Sequence, residues 1–497
     1  SFALNLRQKL LNILEKNKIK GQEYAVISAV LLGQTDKIDP ELYRTYVNSG
    51  AVHVLAVSGM HVGIIFLTLN TLLSFIDKFK NGKIFKSLIL IIIIWFYALL
   101  TGLSPSVVRA STMITFIVIG KSLNRSYNIY NVICASAFIL LLINPLLLFE
   151  IGFQLSFLAV AGIVIFHEEL YKLWQPKNTI IDKLWSVTCI SIAAQLTTGP
   201  ISAFYFNQFP NYFLISNILV FLFSSLIIYA GILVLIFSFL SYVSNLMSVI
   251  LVFLIKNFNY GLSMIEKLPF STSSGINITL IEVALIYFLI FVIYFYFKNR
   301  NFINLRNAFI ALIILQIFDI SKAMSHNYQK KLIIYSLPDN QNIEFIKGNE
   351  SFIFINKLID KKTYDFNIKN NHIKSGLLKY NNTLINDTVK LKNDIILLKN
   401  KFFLFEKKRI VLIDKANFLK NRKLKDNNQR FGADLLIISN NSVFSIKELL
   451  KLYNPRKIII DSTNKAWLAD KLSRECEQLK MPYHNILQSG AFLMTLS

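Results

Sequence analysis

The sequence predicts a polytopic α-helical membrane domain of about ten transmembrane helices, followed by a soluble α/β domain. Of the 497 residues, 54% are hydrophobic and 16% are charged, whereas an average soluble protein has about 25% charged residues. Residues 87–167 hold only four charges, at Arg109, Lys121, Arg125 and Glu150. So few charges cannot keep a surface solvated, but they suit a helical bundle in lipid. Residues 321–497 hold 31 Lys and Arg against 16 Asp and Glu, a content typical of a soluble domain.

The chain divides into three predicted regions: 1–50, 51–320 and 321–497. The first is predicted to form a short amphipathic helix at 22–32 and a polar connector. The second contains ten apolar segments, with approximate limits 54–76, 87–102, 106–120, 129–143, 146–166, 184–203, 212–240, 241–258, 276–297 and 306–320. A spanning helix needs about 20 apolar residues, so the third, fourth and tenth segments are short for a complete crossing.

Positive charge is distributed unevenly among the loops between these segments. Lysine or arginine follows segments one, three, five and nine, whereas the loops after segments two, four and six have neither. Because cytoplasmic loops collect Lys and Arg, the odd-numbered segments are predicted to end in the cytoplasm. The N-terminus and residues 321–497 are then predicted to lie outside it.

Residues 321–497 consist of short β-rich runs and two amphipathic helical stretches. The runs are 331–335, 351–355, 409–413, 435–439 and 457–461, and the helical stretches are 445–452 and 465–480. Asn and Lys crowd residues 361–430, where we expect long, variable loops. The region is long enough for a hydrophobic core of its own.

The whole chain has a net charge of +24 and three cysteines. This charge favours an anionic partner, either nucleic acid or acidic lipid, although positive loops also orient membrane proteins. Three cysteines exclude a disulfide framework and a cysteine-rich metal cluster. We therefore expect neither a metal nor a cofactor.

Segment one carries polar and small residues at membrane depth. They are His53, Ser58, Gly59, His61 and Gly63. Ionisable groups in a membrane are costly and usually face a cavity or a partner, and Ser58 and His61 are spaced to share a helix face. The alternative is that these side chains bond across a tight helix contact, where glycine permits close approach. The residues alone leave both interpretations open.

Segments three, five and seven also carry polar residues: Arg109, Glu150, Gln154, Ser156 and Asn217. Arg109 either extends to the membrane interface or binds phosphate through its bidentate donors, and Glu150 is a candidate to neutralise it. The amides and the serine are equally suited to holding helices together. In the predicted orientation, polar residues from four helices converge in the outer half of the membrane, which favours a hydrophilic mouth.

At these residues the sequence resembles the ComEC family, the inner-membrane channel for DNA entry in bacterial natural transformation. The first motif is a histidine followed by L-A-[IV]-S-G-[LM]-H-[VI]-G, here His53 and 55–63. The next are G-x-x-x-S-x-x-R-A at 102–110 and N-P-x-x-x-x-x-x-G-F-Q-L-S-F-x-A at 144–159, with Asn217 later in the family's order. A proline usual shortly after this asparagine is absent. The resemblance implies a path for single-stranded DNA along nine residues of segments one, three, five and seven: His53, Ser58, Gly59, His61, Gly63, Arg109, Gln154, Ser156 and Asn217.

The C-terminal region resembles the metallo-β-lactamase-like domain that ends many relatives, chiefly at 433–442. Where ligand-bearing relatives have paired histidines, this chain has Asn440 and Asn441, and it contains no H-x-H-x-D-H run. The isolated histidines of this region are His326, His372 and His484. Because a di-metal site needs several imidazole and carboxylate ligands, the domain is predicted to be a degenerate version without metal.

Three functions remain open from the sequence. The first is a channel for single-stranded DNA in the lipid bilayer, without enzymatic activity, served by a DNA-receptor protein. It needs a separate ATP-driven motor, because the chain has no G-x-x-x-x-G-K-[ST] loop. The second is a small-solute transporter with a broken helix near Ser58 and Gly59. The third is an intramembrane serine hydrolase in which Ser58 is the nucleophile and His61 or His53 the base.

Overall fold

The computed structural model describes residues 2–122, 128–337, 340–377, 379–384, 391–392, 396–399, 401–414 and 430–496. The chain divides into two compact units, Ser1–Ala308 and Phe309–Ser497. The predicted boundary at residue 320 therefore lies in the second unit, within a helix that begins in the first, Phe302–Tyr328.

Three helices precede the apolar segments: α1 (Phe2–Lys16), α2 (Gly21–Leu32) and α3 (Pro40–Ser49). The amphipathic character predicted for 22–32 is wrong, since every residue of α2 from Tyr24 to Leu32 is buried. Its run of Ala, Val, Ile and Leu is apolar on all sides, and such a helix packs inside a bundle. The predicted polar connector is wrong in part, because Asp39 and Pro40 begin α3, and proline favours the first position of a helix.

Each of the ten predicted apolar segments forms a helix. They are α4 (Gly59–Leu72), α5 (Gly82–Leu100), α6 (Pro105–Ser122), α7 (Ile129–Ile143), α8 (Ile151–Tyr171), α9 (Thr179–Phe206), α10 (Phe213–Ile236), α11 (Ser241–Lys267), α12 (Leu280–Asn299) and α13 (Phe302–Tyr328). In the described part of the chain, eight are long and apolar enough to cross a membrane: α4 with its extension to Lys78, α5, and α8 to α13. The short third and fourth segments, α6 and α7, account for the difference from the predicted ten. The predicted membrane fold class is confirmed.

Small residues allow α8 and α9 to pack closely. A Cβ added to Gly162 of α8 would overlap Thr197 Oγ1 and the Ala193 carbonyl of α9, so only glycine fits at this crossing. Thr197 Oγ1 donates to the Leu158 carbonyl of α8 over 2.7 Å. The Thr197 carbonyl, three residues before Pro200 inside α9, accepts from Tyr287 of α12 over 2.6 Å.

A two-stranded antiparallel sheet joins the loops that follow α9 and α11. Its strands are β1 (Gln208–Pro210) and β2 (Thr272–Ser274). A Cβ added to Gly50 would lie 2.9 Å from Pro210 Cγ, so β1 packs directly against the end of α3. Gly50 has a φ of +83°, a conformation that glycine adopts without strain.

The C-terminal unit contains two sheets. The five-stranded sheet has the order β14 (Phe492–Thr495), β3 (Lys330–Ile334), β4 (Asn342–Lys347), β5 (Glu350–Ile355) and β6 (Lys379–Leu384). The seven-stranded sheet has the order β13 (Tyr483–Asn485), β12 (Tyr453–Ile460), β11 (Phe431–Ile438), β10 (Lys408–Ile413), β9 (Phe402–Phe405), β8 (Ile396–Lys399) and β7 (Leu391–Lys392). Strands β10 to β13 run parallel.

Helices cover the outer faces of both sheets. They are α14 (Lys361–Asn367), α15 (Lys369–Lys374), α16 (Ile446–Leu452), α17 (Ala466–Gln478) and α18 (Ile486–Ser489). Phe345 and Phe354 of one sheet contact Phe403 of the other, with ring centroids 5.4 and 5.1 Å from that of Phe403. A second core fixes α16 and α17 to the seven-stranded sheet through Leu449, Leu468 and other buried side chains. The predicted soluble α/β domain is confirmed.

The loops predicted for 361–430 are wrong over much of that range. The structure places α14, α15 and strands β6 to β10 there, and residues 385–390, 393–395 and 415–429 lie outside the described residues. The short apolar run 402–405 supplies a buried strand because Phe403 and Phe405 point into the core between the sheets. Surrounding Lys and Asn residues conceal this signal in the sequence.

Candidate functional site

The backbone is not α-helical between α3 and α4. Residues 52–54 form one 3-10 turn, and Ser58 is extended immediately before α4 begins. Ser106 Oγ of α6 donates to the Val57 carbonyl over 2.5 Å. A Cβ added to Gly33, at the end of α2, would lie 3.5 Å from Val57 Cγ2. Irregular backbone is tolerated at membrane depth where it is buried in protein or lines a water-filled cavity, and this segment is enclosed by α2 and α6.

The first turn of α4 holds His61 in one orientation. The Ser58 backbone N–H donates to His61 Nδ1 over 3.2 Å, so the neutral ring carries its proton on Nε2. His61 is fully buried, and its Nε2 has no hydrogen-bond partner among the described residues. Ser58 Oγ is buried and faces the His61 backbone N–H in a capping box, but it makes no hydrogen bond to the His61 ring. The hydrogen bond between nucleophile and base that a serine hydrolase needs is therefore absent from this pair.

Arg109 lies in the second turn of α6 and is 6% exposed. Across the described residues its guanidinium makes no hydrogen bond or ion pair, and its Nε is buried without a partner. Glu150 influences Arg109 electrostatically but forms no ion pair with it, so the predicted neutralisation by direct contact is not seen. A Cβ added to Gly152 would lie 3.7 Å from Arg109 Nη2, which places the guanidinium against the first turn of α8.

Two amide side chains near the starts of α8 and α10 also have an oxygen without a partner. Gln154 Nε2 donates to the Leu148 carbonyl over 2.9 Å, but its Oε1 is buried and unpaired. Asn217 Oδ1 on α10 is buried and unpaired in the same way. Ser156, further along α8, is half-buried. A buried polar atom without a partner costs about 1–3 kcal/mol, so these oxygens indicate contact with water or a ligand.

The remaining predicted path residues border the same region. His53 is exposed, and it is close enough to His61 for the two rings to interact electrostatically. A Cβ added to Gly59 would lie 3.6 Å from Ala110 Cβ, which shows that the starts of α4 and α6 are adjacent. A Cβ added to Gly63 would meet no atom within 4 Å, so open space lies beside α4 one turn further on.

These side chains share a position at the beginning of a helix. His61, Arg109, Gln154 and Asn217 lie within the first two turns of α4, α6, α8 and α10. The first N–H groups of a helix lack intrahelical partners, and the helix dipole makes this end positive. Together with the Arg109 guanidinium and the His61 N–H, the arrangement favours negatively charged oxygens, such as those of a phosphate.

Five more buried polar atoms of the first unit, which no sequence motif singles out, have no partner among the described residues. They are Gln34 Oε1, Ser104 Oγ, Ser111 Oγ, Ser216 Oγ and Ser224 Oγ. Ser104 precedes the Pro105 that begins α6, and Ser111 is two residues beyond Arg109. Both are next to the motif around Arg109, so the sequence could have indicated them. Gln34 and Ser216 carry no signal in the sequence, because serine and glutamine are ordinary residues at helix ends.

The C-terminal unit brings Asn440 and Asn441 to the carboxyl ends of parallel strands. Asn440 N donates to Thr463 Oγ1 over 2.9 Å, and Asn441 Oδ1 accepts from Lys465 N over 2.7 Å. Asp461 follows β12 and is fully buried, and this burial raises its pKa to about 6. In the ranges that the structure describes, no three His, Cys, Asp or Glu side chains are grouped to hold a metal. These residues do not fit a di-metal site, because the Asn441 oxygen is already engaged.

We expect the purified chain to bind no stoichiometric zinc or manganese and to cut no single-stranded DNA. Asparagine amides replace imidazole poorly on these ions, which favour nitrogen, sulfur or carboxylate donors. Elemental analysis measures the bound metal, and incubation of the chain with single-stranded DNA and either ion measures cleavage. Tight metal binding together with cleavage that a chelator abolishes would contradict this expectation.

Comparison with known proteins matches both units to family models. Residues 30–300 match the model described as competence protein, and residues 332–496 match the ComEC C-terminal domain. The chain is 31% identical over 229 residues to ComE operon protein 3 of Bacillus subtilis (strain 168), covering 46% of this chain and 28% of that protein. It is 32% identical over 152 residues to an uncharacterized protein of Aquifex aeolicus (strain VF5), covering 30% of this chain and 35% of that protein. The matches thus span about a third of each relative's length, and no solved structure matches.

Proposed function

The chain belongs to the competence protein family, and on that basis we propose that it conducts single-stranded DNA across the membrane during natural transformation. Its candidate spans make it a multi-pass membrane protein. The observation that carries the proposal is that the adjacent starts of α4 and α6 hold the fully buried His61 and the Arg109 guanidinium, which makes no hydrogen bond or ion pair with a described residue and lies against the start of α8. A DNA strand presents one phosphate per nucleotide whatever its sequence, and such a cluster of donors recognises phosphate without reading bases.

In the proposed conduction of DNA, the hydrogen-bond donors and the hydrogen-bond acceptors of this cluster have different roles. Arg109 and the helix starts attract the phosphates, while the oxygens of Gln154 and Asn217 and the hydroxyl of Ser58 bond to water or to the strand. Arg109 forms no ion pair with a carboxylate of any described residue, so a phosphate that binds it does not have to displace an internal partner. This favours a site that is entered and left easily, as conduction requires.

The proposed location is the cytoplasmic, or inner, membrane, with the C-terminal unit outside the cytoplasm. The charge of the loops supports this orientation. We propose that the chain is a conduit rather than an enzyme, that it holds no cofactor, and that a DNA-receptor protein and a separate ATP-driven motor supply the strand and the energy. The chain's lack of a G-x-x-x-x-G-K-[ST] loop supports the separate motor.

A small-solute transporter is the second candidate function. The observation in its favour is the break between α3 and α4, together with the short buried helix α2, because transporters bind substrates at discontinuous helices. Net charge and the arginine without an ion pair favour a polyanion over a small neutral solute.

Deleting the gene in its own host tests the proposal against both alternatives. We expect labelled DNA to be captured at the cell surface as before, while its entry into the cytoplasm is lost. The Ser58→Ala variant, compared with Ser87→Ala in the second turn of α5, is then measured for DNA entry, peptide cleavage and solute flux. We expect Ser58→Ala to lower DNA entry several-fold, because a hydroxyl in the path is lost. Peptide cleavage that depends on Ser58, or solute flux with normal DNA entry in the deletion strain, would overturn the proposal.

A further inference from the structure

Two large aromatic side chains lie together on the surface of the C-terminal unit. Phe444 precedes α16 and Trp467 lies in the first turn of α17, and they are 54% and 58% exposed. Their ring centroids are 6.5 Å apart and their planes differ by 33°. Leaving this apolar area in water costs about 25 cal/mol per Å², whereas Phe345, Phe354 and Phe403 of the same unit are buried. The pair is therefore a surface feature that a partner would cover with a gain in free energy.

The pair lies beside the carboxyl ends of two parallel strands. Phe444 follows β11 and Trp467 follows β12, and the backbone N–H of Lys465 donates to Asn441 Oδ1 across the two loops. In α/β sheets this is the edge at which ligands bind. Asn441 is engaged through its backbone N–H and its side-chain oxygen, and Asn440 is held through its backbone N–H. The exposed rings are the large apolar surface that this edge presents to a ligand.

Of the cations around the pair, Lys471 lies at ion-pair distance from Glu475, and four others form no ion pair with a described residue. Glu475 accepts from Ile446 N over 2.7 Å and lies 3.9 Å from Lys471 Nζ, and Asp470 accepts from Gln488 Nε2 over 2.8 Å. Glu477 accepts from Tyr483 over 2.6 Å. In contrast, the exposed cations Lys447, Lys465, Arg474 and Lys480 have side chains that form no ion pair or hydrogen bond with any described residue.

An open cleft runs from Trp467 to Lys471 and Arg474. It has a volume of about 460 Å³, follows one face of α17, and is lined by Trp467, Asp470, Lys471, Arg474, Glu475 and Gln478. Trp467, Lys471 and Arg474 are spaced by four and three residues, so they form one continuous stripe. A strand seated on the rings thus reaches Lys471 and Arg474 on the adjoining helix. Asp470 and Glu475 also line the cleft, where they accept hydrogen bonds from Gln488 Nε2 and from the Ile446 backbone N–H.

We propose that Phe444 and Trp467 form a stacking platform for single-stranded DNA on the C-terminal unit, with Lys471 and Arg474 holding the backbone. The identity of the strand rests on the proposed function. Exposed aromatic rings stack on any base and nearby cations bind the phosphates, a combination typical of sites that hold single strands without regard to sequence. A duplex does not suit the platform, because its base faces are covered by neighbouring bases. The platform gives the unit a role in holding the strand that requires no metal.

Binding of oligothymidine and of an abasic oligonucleotide of equal length to the purified chain separates stacking from charge. All variants are made in an Arg109→Ala background, so that binding in the membrane unit does not contribute. We expect Trp467→Ala to weaken oligothymidine binding about five- to 150-fold, as the loss of one stacked base does, and to leave abasic binding unchanged. Phe444→Ala should act in the same direction. Phe366→Ala, which removes an aromatic ring that is 83% exposed on α14, is the matched control and should change neither.

Arg474→Ala provides the complementary result. We expect it to weaken binding of both oligonucleotides and to lower the slope of log affinity against log salt by about 0.7, the value for one phosphate contact on a single strand. The inference is overturned if Trp467→Ala leaves oligothymidine affinity unchanged, if the abasic strand loses affinity equally, or if the chain binds neither oligonucleotide. If another protein instead covers Phe444 and Trp467, Trp467→Ala leaves oligothymidine affinity unchanged. None of them bears on DNA entry through the membrane unit, which the gene deletion tests separately.

Discussion

Replacing Arg109 by alanine is expected to lower DNA entry into the cytoplasm about a hundredfold, the equivalent of about 3 kcal/mol for a charged, bidentate phosphate contact. Arg109 is 6% exposed, and its guanidinium has no ion pair with any described residue and lies against Gly152 at the start of α8. Its loss removes the strongest donor of the cluster and leaves the hydrophobic helix contacts in place. The measurement is transformation frequency at native expression, with membrane insertion followed by immunoblotting.

Two further variants separate the role of Arg109 in binding from a role in packing. Arg109→Lys keeps the charge but lacks the planar fork, so we expect partial recovery. Arg300→Ala is the control. It removes an exposed arginine that follows α12 and lies over the Phe297 ring, and this variant should transform normally. Normal transformation by Arg109→Ala would refute the proposed path, and loss of the protein from the membrane would show a packing role instead.

Replacing His372 by alanine is expected to lower the free energy of unfolding of the C-terminal unit by about 3–5 kcal/mol, the cost of leaving a buried charge unpaired. Glu344 of β4 is fully buried, and its Oε1 lies 2.7 Å from His372 Nε2. Tyr335 donates to the other carboxylate oxygen over 2.5 Å, and the Tyr364 hydroxyl lies 2.9 Å from His372 Nδ1. Burial and the adjacent Glu344 raise the pKa of Tyr335 above its usual range, so it remains a donor.

Denaturant unfolding of the purified chain measures this loss of free energy of unfolding. Hydrogen exchange of the backbone amides in the five-stranded sheet monitors the transition. The double variant Glu344→Leu with His372→Leu should lose less stability than His372→Ala, because it removes both partners of the buried pair together. His484→Ala is the control, since that ring lies near the surface and bonds to the Gly490 carbonyl; a surface change of this kind costs about 0.5 kcal/mol or less. A His372→Ala variant as stable as the control would show that the network carries no net stability.

The sequence predicted the membrane fold because hydrophobicity is a property of consecutive residues. All ten apolar segments became helices, and the five β-rich runs became β3, β5, β10, β11 and β12 with shifts of one to four residues at their ends. It also located His61, Arg109, Gln154 and Asn217 as polar residues in apolar surroundings. It did not pair His372 with Glu344, because those residues are 28 positions apart and meet only when α15 covers the five-stranded sheet.

Taken alone, the sequence determined which segments enter lipid, which region forms a soluble domain, and which family the motifs resemble, since each depends on residue type and short spacing. Tertiary structure decided that α2 is buried on every side, that Glu150 forms no ion pair with Arg109, and that Phe444 lies beside Trp467. The physical reason is that a hydrogen bond or a ring contact depends on distances of a few ångströms between residues far apart in the chain. Packing of the helices and sheets sets those distances, and no local pattern of residues encodes them.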